Sequence, residues 1–254
     1  GAEILRVEPG DTTNRAYGVA VDIGTTTVAA SLVNLTTGAT LGTKATLNRQ
    51  AAYGEDVISR IMQSEREGGL DALGRAVVDT VNTLLAALVA ECGVAADDII
   101  EMCCAGNTTM AHLLLGIDPY YIRREPYVPA ATFFPTTFAG ELDVAMQPLA
   151  RVDCLPGVSS YVGGDITAGV IASGIDQAEL PSMLIDLGTN GEIVLGNSEW
   201  LVCCSASAGP AFEGGGMRCG IRAMQGAVQK LAVDPTDYEV VAETLQVEGL
   251  EFTY

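Results

Sequence analysis

Val19-Ala20-Val21-Asp22-Ile23-Gly24-Thr25-Thr26-Thr27 reads as an apolar strand that runs into an acidic-glycine-threonine turn. The apolar residues at 28–33 supply a return strand, so the stretch is a β-hairpin with glycine at the reversal. Such a turn offers backbone N–H groups in a concavity suited to phosphate oxygens. A carboxylate beside it suits a divalent cation, which phosphates also coordinate. Residues 183–192, Met-Leu-Ile-Asp186-Leu-Gly188-Thr189-Asn190-Gly191-Glu192, repeat the pattern, with 193–195 as the return. Two such turns facing each other would clasp a nucleoside triphosphate from both sides.

Around the first turn, strands are expected at 17–23, 28–34 and 40–47, with Thr36-Thr37-Gly38 joining the last two. A helix over 55–65 carries Val57, Ile58, Ile61 and Met62 on one face. A longer one over 70–92 carries Val77, Val81, Leu84, Leu85 and Leu88, and Gly93 stops it. A buried strand at 99–104 precedes a helix at 107–115 that starts at Asn107-Thr108-Thr109. Residues 116–156 hold six prolines and Tyr120, Tyr121, Tyr127, Phe133, Phe134 and Phe138, an irregular excursion over the body. A strand at 158–162 and a helix at 165–173 lead to the second turn, followed by strands at 200–204, 230–233 and 239–247. The recurrence of strand, turn and strand implies a duplicated lobe. The first spans 1–175, with the insertion at 116–156. The second starts at 176 and is expected to be incomplete, because the chain stops at Tyr254 before any closing helices.

The chain of 254 residues is 48% hydrophobic, enough for one large domain or two lobes. It carries 13 Lys and Arg against 32 Asp and Glu, a formal charge of −19, which argues against nucleic acid as a partner. No long unbroken apolar run suggests a membrane span, and no cationic leader is apparent. One histidine and seven cysteines without a C-x-x-C pair exclude a His-rich or zinc-finger metal site. Most of the thiols read as buried packing groups in a reducing cytoplasm.

Taken in order, Asp22-Ile23-Gly24-Thr25-Thr26-Thr27, Gly163-Gly164-Asp165 and Asp186-Leu187-Gly188-Thr189-Asn190-Gly191 resemble the acetate and sugar kinase, heat-shock ATPase and actin superfamily (ASKHA). Within it, residues 105–117 and 205–215 are similar to the ATPase part of the reductive activators of corrinoid proteins. The resemblance implies an α/β protein of two related ribonuclease-H-like lobes of the actin-like ATPase type. It implies an ATP- and Mg²⁺-dependent module that helps return a Co(II) corrinoid to Co(I). The electron would come from a 2Fe–2S ferredoxin-like domain, expected upstream of Gly1, since this chain has no C-x₄-C-x₂-C pattern. The implied partner is a corrinoid protein or a corrinoid-dependent methyltransferase, with homodimerisation also allowed and a cytoplasmic location.

On this reading Asp22 and Asp186 contact Mg²⁺, and Asp22 and Asp165 are the catalytic carboxylates. Gly24, Thr25, Thr26, Thr27, Gly188, Thr189, Asn190 and Gly191 cradle phosphate. Asn107, Thr108, Gly163, Gly164, Gly214 and Gly215 complete the nucleotide contacts. Each has a plainer reading: turn capping for the aspartates, a helix cap for Asp165, a helix start for Asn107 and Thr108, and core packing for His112. Two other functions fit the same residues: a small-molecule kinase that uses Asp165 as base, and a non-catalytic interaction module built on the aromatics of 120–138.

Overall fold

The computed structural model describes residues 7, 10–13, 15–188, 190–206, 226–236 and 239–244. The chain divides into two units, 1–184 with 194–204 and 185–193 with 205–254.

Period-two alternation builds the first sheet. In β1 (Tyr17–Ile23), Val19, Val21 and Ile23 are buried while Ala20 and Asp22 are exposed. β2 (Thr27–Asn34) buries Val28, Ala30 and Leu32 in the same way, and β3 (Thr40–Leu47) lies beyond it. These three strands form the expected antiparallel meander. α1 (Val57–Ser64) and α2 (Gly69–Cys92) then carry the chain across to β4 (Ile99–Gly106), which pairs parallel with β1. After α3 (Thr108–Leu114) come β5 (Thr137–Phe138) and β6 (Arg151–Cys154). The sheet order is β3-β2-β1-β4-β6-β5, with β4 and β6 parallel and β5 and β6 antiparallel.

α2 is the core helix of this unit. Leu73, Val77, Val81, Leu84, Leu85 and Leu88 recur at helical spacing and are buried, joining β1, β2, β4 and β6 in one apolar cluster. Each such side chain contributes about 1.5–3 kcal/mol when withdrawn from water. α2 is long and apolar enough to cross a membrane, but half of its apolar window is buried inside the protein, as for a core helix. Gly93, in the left-handed conformation with φ 66°, ends it as expected.

Two expectations fail between 116 and 162. The excursion is not merely draped over the body: Ile122, Phe134, Val144, Met146 and Val152 are buried, and 151–154 forms a sheet strand. Its irregular start is tied down by Arg123 and Arg124, which both pair with Glu65 at the end of α1, while Arg124 stacks over the Tyr120 ring at 4.1 Å. Residues 158–162 are not a strand. Val158 and Ser159 both donate their N–H to Val162 O, which closes a tight turn after Pro156-Gly157.

α4 (Gly164–Ser173) packs on β4, and Ile166 and Val170 join Val162, Leu184 and Val194 in a second small cluster. β7 (Ser182–Leu187), β8 (Gly191–Gly196) and β9 (Leu201–Ala206) form a sheet in that order. The strand–turn–strand–strand order of β1 to β3 therefore recurs. In the second unit β10 (Val228–Val233) and β11 (Val240–Thr244) pair antiparallel, where strands were expected at 230–233 and 239–247; Glu239 precedes the strand, and residues 245–247 lie outside the described residues.

His112 is fully buried and is a core group, as the plainer reading had it. Its Nδ1 donates to Thr108 O at 2.7 Å, its Nε2 accepts the Ala131 N–H at 3.3 Å, and its ring meets Phe134 edge-on. Both nitrogens are satisfied only in the neutral Nδ1–H tautomer. Burial pushes its pKa down, against smaller opposing effects from Thr108 O and Asp118.

A base whose folded pKa lies below its unfolded value of about 6.5 binds more protons when unfolded. Its stabilising contribution is complete above that unfolded value and is lost as pH falls towards the folded one. Urea unfolding at pH 7.5 and at pH 5.5 should therefore show a loss of stability in the wild type that is larger than the loss in His112→Gln.

Candidate functional site

β1 and β4 run parallel and end level, with Ile23 opposite Gly106. The turn after β1 therefore lies beside the start of α3. α4 begins at the same place: a Cβ on Gly163 would stand 2.5 Å from Asn107 Cα and 2.6 Å from both Gly106 O and Thr108 N. Only a residue without a side chain permits that approach. Gly164 is equally confined, 2.5 Å from Leu155 O, and Gly24 is confined by Thr27 O at 2.5 Å. The first turn, Asn107 and the Gly163-Gly164-Asp165 step are thus brought together in the first unit.

The first turn is held from behind. Gly24 O accepts from Asn48 Nδ2 at 2.9 Å, Thr25 O from Arg60 Nη2 at 2.6 Å, and Thr26 O from the Asn48 N–H at 2.8 Å. Among the described residues the only cis peptide is Glu125–Pro126. A trans peptide sets its N–H opposite its C=O, so the N–H groups of Thr25, Thr26 and Thr27 are turned away from those donors. Asn107 ties the turn to α3: its Oδ1 caps the helix at Met110 N (3.0 Å) while its Nδ2 donates to Thr25 Oγ1 at 3.1 Å. Asn107 is at once a helix start and a neighbour of the turn.

Asn48, Gln50 and Arg60 are buried behind the turn. Arg60 also donates to Gly54 O (2.9 Å) and to Gln50 Oε1 (3.2 Å), and its Nη1 lies 3.3 Å from Met110 Sδ. Gln50 Nε2 donates in turn to Leu73 O at 2.9 Å. A buried guanidinium is tolerated because its N–H groups find acceptors. The sequence reading missed this cluster. It gave α1 an apolar face of Val57, Ile58, Ile61 and Met62, whereas Ile58 and Met62 are exposed and the inward stripe is Val57, Arg60, Ile61 and Ser64. Those positions follow the i, i+3, i+4, i+7 rule, and apolar periodicity could not register a buried cation among them.

The carboxylates differ in setting. Asp22 is exposed at the end of β1, on the sheet face opposite Val21 and Ile23. Asp165 is half-buried in the first turn of α4 and does not cap it; Gly163 holds the cap position, and Asp165 Oδ1 accepts from Ile166 N at 2.8 Å. A negative charge there suits the helix dipole. The Thr108 hydroxyl is buried and donates to Ser159 O at 2.5 Å, so its side chain faces the interior. Thr109 Oγ1 is buried without a hydrogen-bond partner.

In the second unit Asp186 is exposed, and the Gly188 N–H donates to Asn190 O at 2.9 Å, inside the turn. Glu192, half-buried after Gly191, accepts from Ser205 Oγ at 2.8 Å. Burial pushes its carboxyl up; Ser205 opposes the shift and the charge of Asp186 adds to it. Thr189, Gly214, Gly215 and Cys219 lie outside the described residues. Cys104 and Cys154 are buried side by side across β4 and β6, as expected of packing thiols, but Cys203 and Cys204 are exposed. They lie on β9, an edge strand of its three-stranded sheet among the described residues.

Residues 17–178 match the family described as the RACo middle region, and residues 180–250 match the C-terminal domain of RACo, the ASKHA domain. The corrinoid activation enzyme RamQ of Eubacterium limosum is 32% identical over 231 residues, which cover 90% of this chain and 39% of the relative. The Co(II) methylated amine-specific corrinoid protein reductase of Methanosarcina barkeri is 24% identical, covering 84% of this chain and 40% of the relative. A solved reductive activator for corrinoid, iron-sulfur protein superposes with a TM-score of 0.86 at 49% identity, over 94% of this chain and 38% of that one. The chain thus spans about two-fifths of the length of these relatives.

The glycine contacts separate the two turns. Gly24→Ala and Gly163→Ala force a methyl against backbone atoms and should each cost about 1–3 kcal/mol of stability. Gly188 has only Asn190 O near its Cβ position, at 3.7 Å, so Gly188→Ala should unfold within about 0.5 kcal/mol of the wild type. Denaturant midpoints of the three variants check the contrast.

Proposed function

The chain belongs to the RACo family, and from that premise we propose that it is the ATP-binding and ATP-hydrolysing module that drives reduction of a Co(II) corrinoid protein to Co(I). One observation carries the reading. The first acidic-glycine-threonine turn, the Asn107 cap and the start of α4 converge, with the N–H groups of Thr25 to Thr27 turned away from the Asn48 and Arg60 donors that hold the preceding carbonyls. The backbone N–H groups and the small hydroxyl side chains of Thr25 to Thr27 suit phosphate, and the carboxylates Asp22 and Asp165 nearby suit a divalent cation and a water.

In this reading Asp22 and Asp186 hold Mg²⁺, whose charge offsets that of the phosphates. Gly24 to Thr27, Asn107, Gly163, Gly164 and Gly188 to Gly191 line the nucleotide, with Gly214 and Gly215 further along. Asp165 orients the attacking water. Thr108 is left out, since its hydroxyl is engaged with Ser159 O. Hydrolysis supplies the driving force and a 2Fe–2S group outside these residues supplies the one electron that Co(II) takes up. ATP promotes that transfer only so far as the corrinoid partner binds the nucleotide-loaded and empty forms with different affinity. The exposed Tyr121, Tyr127 and Phe133 are the proposed anchors for that partner. Homodimerisation and a cytoplasmic location complete the proposal.

The test uses the whole protein and follows corrinoid absorbance under a strong reductant. Co(I) should form only with Mg²⁺ and ATP present. Asp22→Ala and Asp186→Ala should each lower kcat/KM for ATP hydrolysis tenfold or more, about 1.4 kcal/mol of transition-state stabilisation, with the denaturant midpoint little changed. Co(I) formation at the same rate without ATP would overturn the activator reading, and transfer of phosphate to a small metabolite would replace it with a kinase.

A further inference from the structure

Arg60 stands out because α1 turns it inwards at a position that apolar side chains usually hold. It is fully buried, and its Nη2 donates to the Thr25 carbonyl at 2.6 Å. A cation at that distance does two things to the Thr25–Thr26 peptide. It fixes the plane, because the carbonyl cannot swing round while the guanidinium holds it. It also draws electron density towards the oxygen, which makes the N–H on the opposite side of the plane a stronger donor. Asn48 holds the peptides on either side, through Gly24 O and Thr26 O, but as a neutral group. Arg60 alone of these donors brings a formal positive charge behind the turn.

We propose that Arg60 is the positioning residue of the first phosphate turn: its buried guanidinium, anchored to Gly54 O and Gln50 Oε1, holds the Thr25 carbonyl inwards so that the turn meets an anionic phosphate chain with its N–H groups already set. The proposal rests on the nucleotide-binding reading above and adds a residue that touches no ligand. It also gives the chain, at −19 overall, a fixed positive charge next to the place where phosphate binds.

A purely structural role for Arg60 would make it a staple between α1, Gln50 and α3. The two roles differ in what they move. A positioning role raises KM for Mg·ATP and weakens binding of Mg·pyrophosphate in the folded protein, with kcat less affected. A staple lowers stability and leaves the affinity of the folded fraction unchanged.

In the whole protein, Arg60→Ala should raise KM for ATP about tenfold and weaken Mg·pyrophosphate binding, measured by calorimetry, by a similar factor, about 1.4 kcal/mol. Guanidinium ion at millimolar concentration should restore part of the affinity by entering the vacated space. Arg60→Lys keeps the charge but not the planar fork, and should fall between the two; if Arg60→Ala does not fold, this variant decides. Ile61→Ala, one residue on and equally buried, is the control that should lose stability without a change in KM. Unchanged KM and pyrophosphate affinity in folded Arg60 variants, alongside normal binding in the wild type, would overturn the positioning role and leave the ATPase reading standing. Absence of binding in the wild type would overturn both.

Discussion

A trans peptide cannot present its carbonyl and its N–H to the same side. The first turn is built on that constraint. Asn48 and Arg60 take the carbonyls of Gly24, Thr25 and Thr26 from the interior, and the N–H groups of the next residues are thereby aimed the other way. The rest of the first unit exists to keep those two donors in place. Asn48 follows β3 directly, so its position is set by the β2–β3 ladder, and Arg60 comes from α1, which is capped by the reciprocal Asp56–Ser59 box. Both side chains reach Met110 Sδ on α3, and Gln50 links them to the backbone of α2 at Leu73. A polar cluster of this kind is stable only when its members are satisfied together, which ties sheet, helices and turn into one unit.

What the sequence made legible follows from which physical signals are periodic. The meander, α2 and both turns are written in alternation, in helical spacing and in glycine, so they could be placed from residue types alone. Asn107 could be seen as a helix start because a cap is a local interaction. Arg60, Asn48 and Gln50 could not be seen as a site, because their partners are backbone carbonyls up to 35 residues distant, which leave no mark in composition. The 151–154 strand was hidden for a different reason: its four residues, Arg-Val-Asp-Cys, alternate correctly but lie inside a segment whose prolines argued for irregularity. The side-chain partner of Thr108 was not legible either, because a hydroxyl at a helix start serves a ligand or a neighbouring carbonyl equally well, and packing sends this one to Ser159 O.

The strong negative charge of the chain and an anionic ligand are compatible because the two act over different ranges. Exposed charges are screened within about 8 Å at physiological ionic strength, so most of the surface carboxylates contribute little at the turn. The backbone N–H groups of the turn and the guanidinium one hydrogen bond behind them would act on a bound phosphate at contact range, where screening is far weaker. The net charge therefore bears on solubility and on partner choice, while the field at the turn is set by nearby groups: the backbone dipoles, the buried Arg60 and the carboxylates Asp22 and Asp165.

The two turns share a sequence pattern but not a state of readiness. In the first, the donors that orient the peptide planes are the Asn48 and Arg60 side chains and the Asn48 N–H, all from elsewhere in the unit, so its N–H groups are set by the fold and binding would have little left to order. In the second, the Gly188 N–H is already engaged with Asn190 O two residues on, within the turn itself. A phosphate oxygen that takes this N–H must displace a carbonyl, and the net gain is the difference between two hydrogen bonds rather than the whole of one. The glycines point the same way: Gly24 is confined by the backbone of its own turn at 2.5 Å, whereas the nearest atom to a Cβ on Gly188 lies at 3.7 Å. One turn is thus a rigid receptor and the other has room and reason to rearrange.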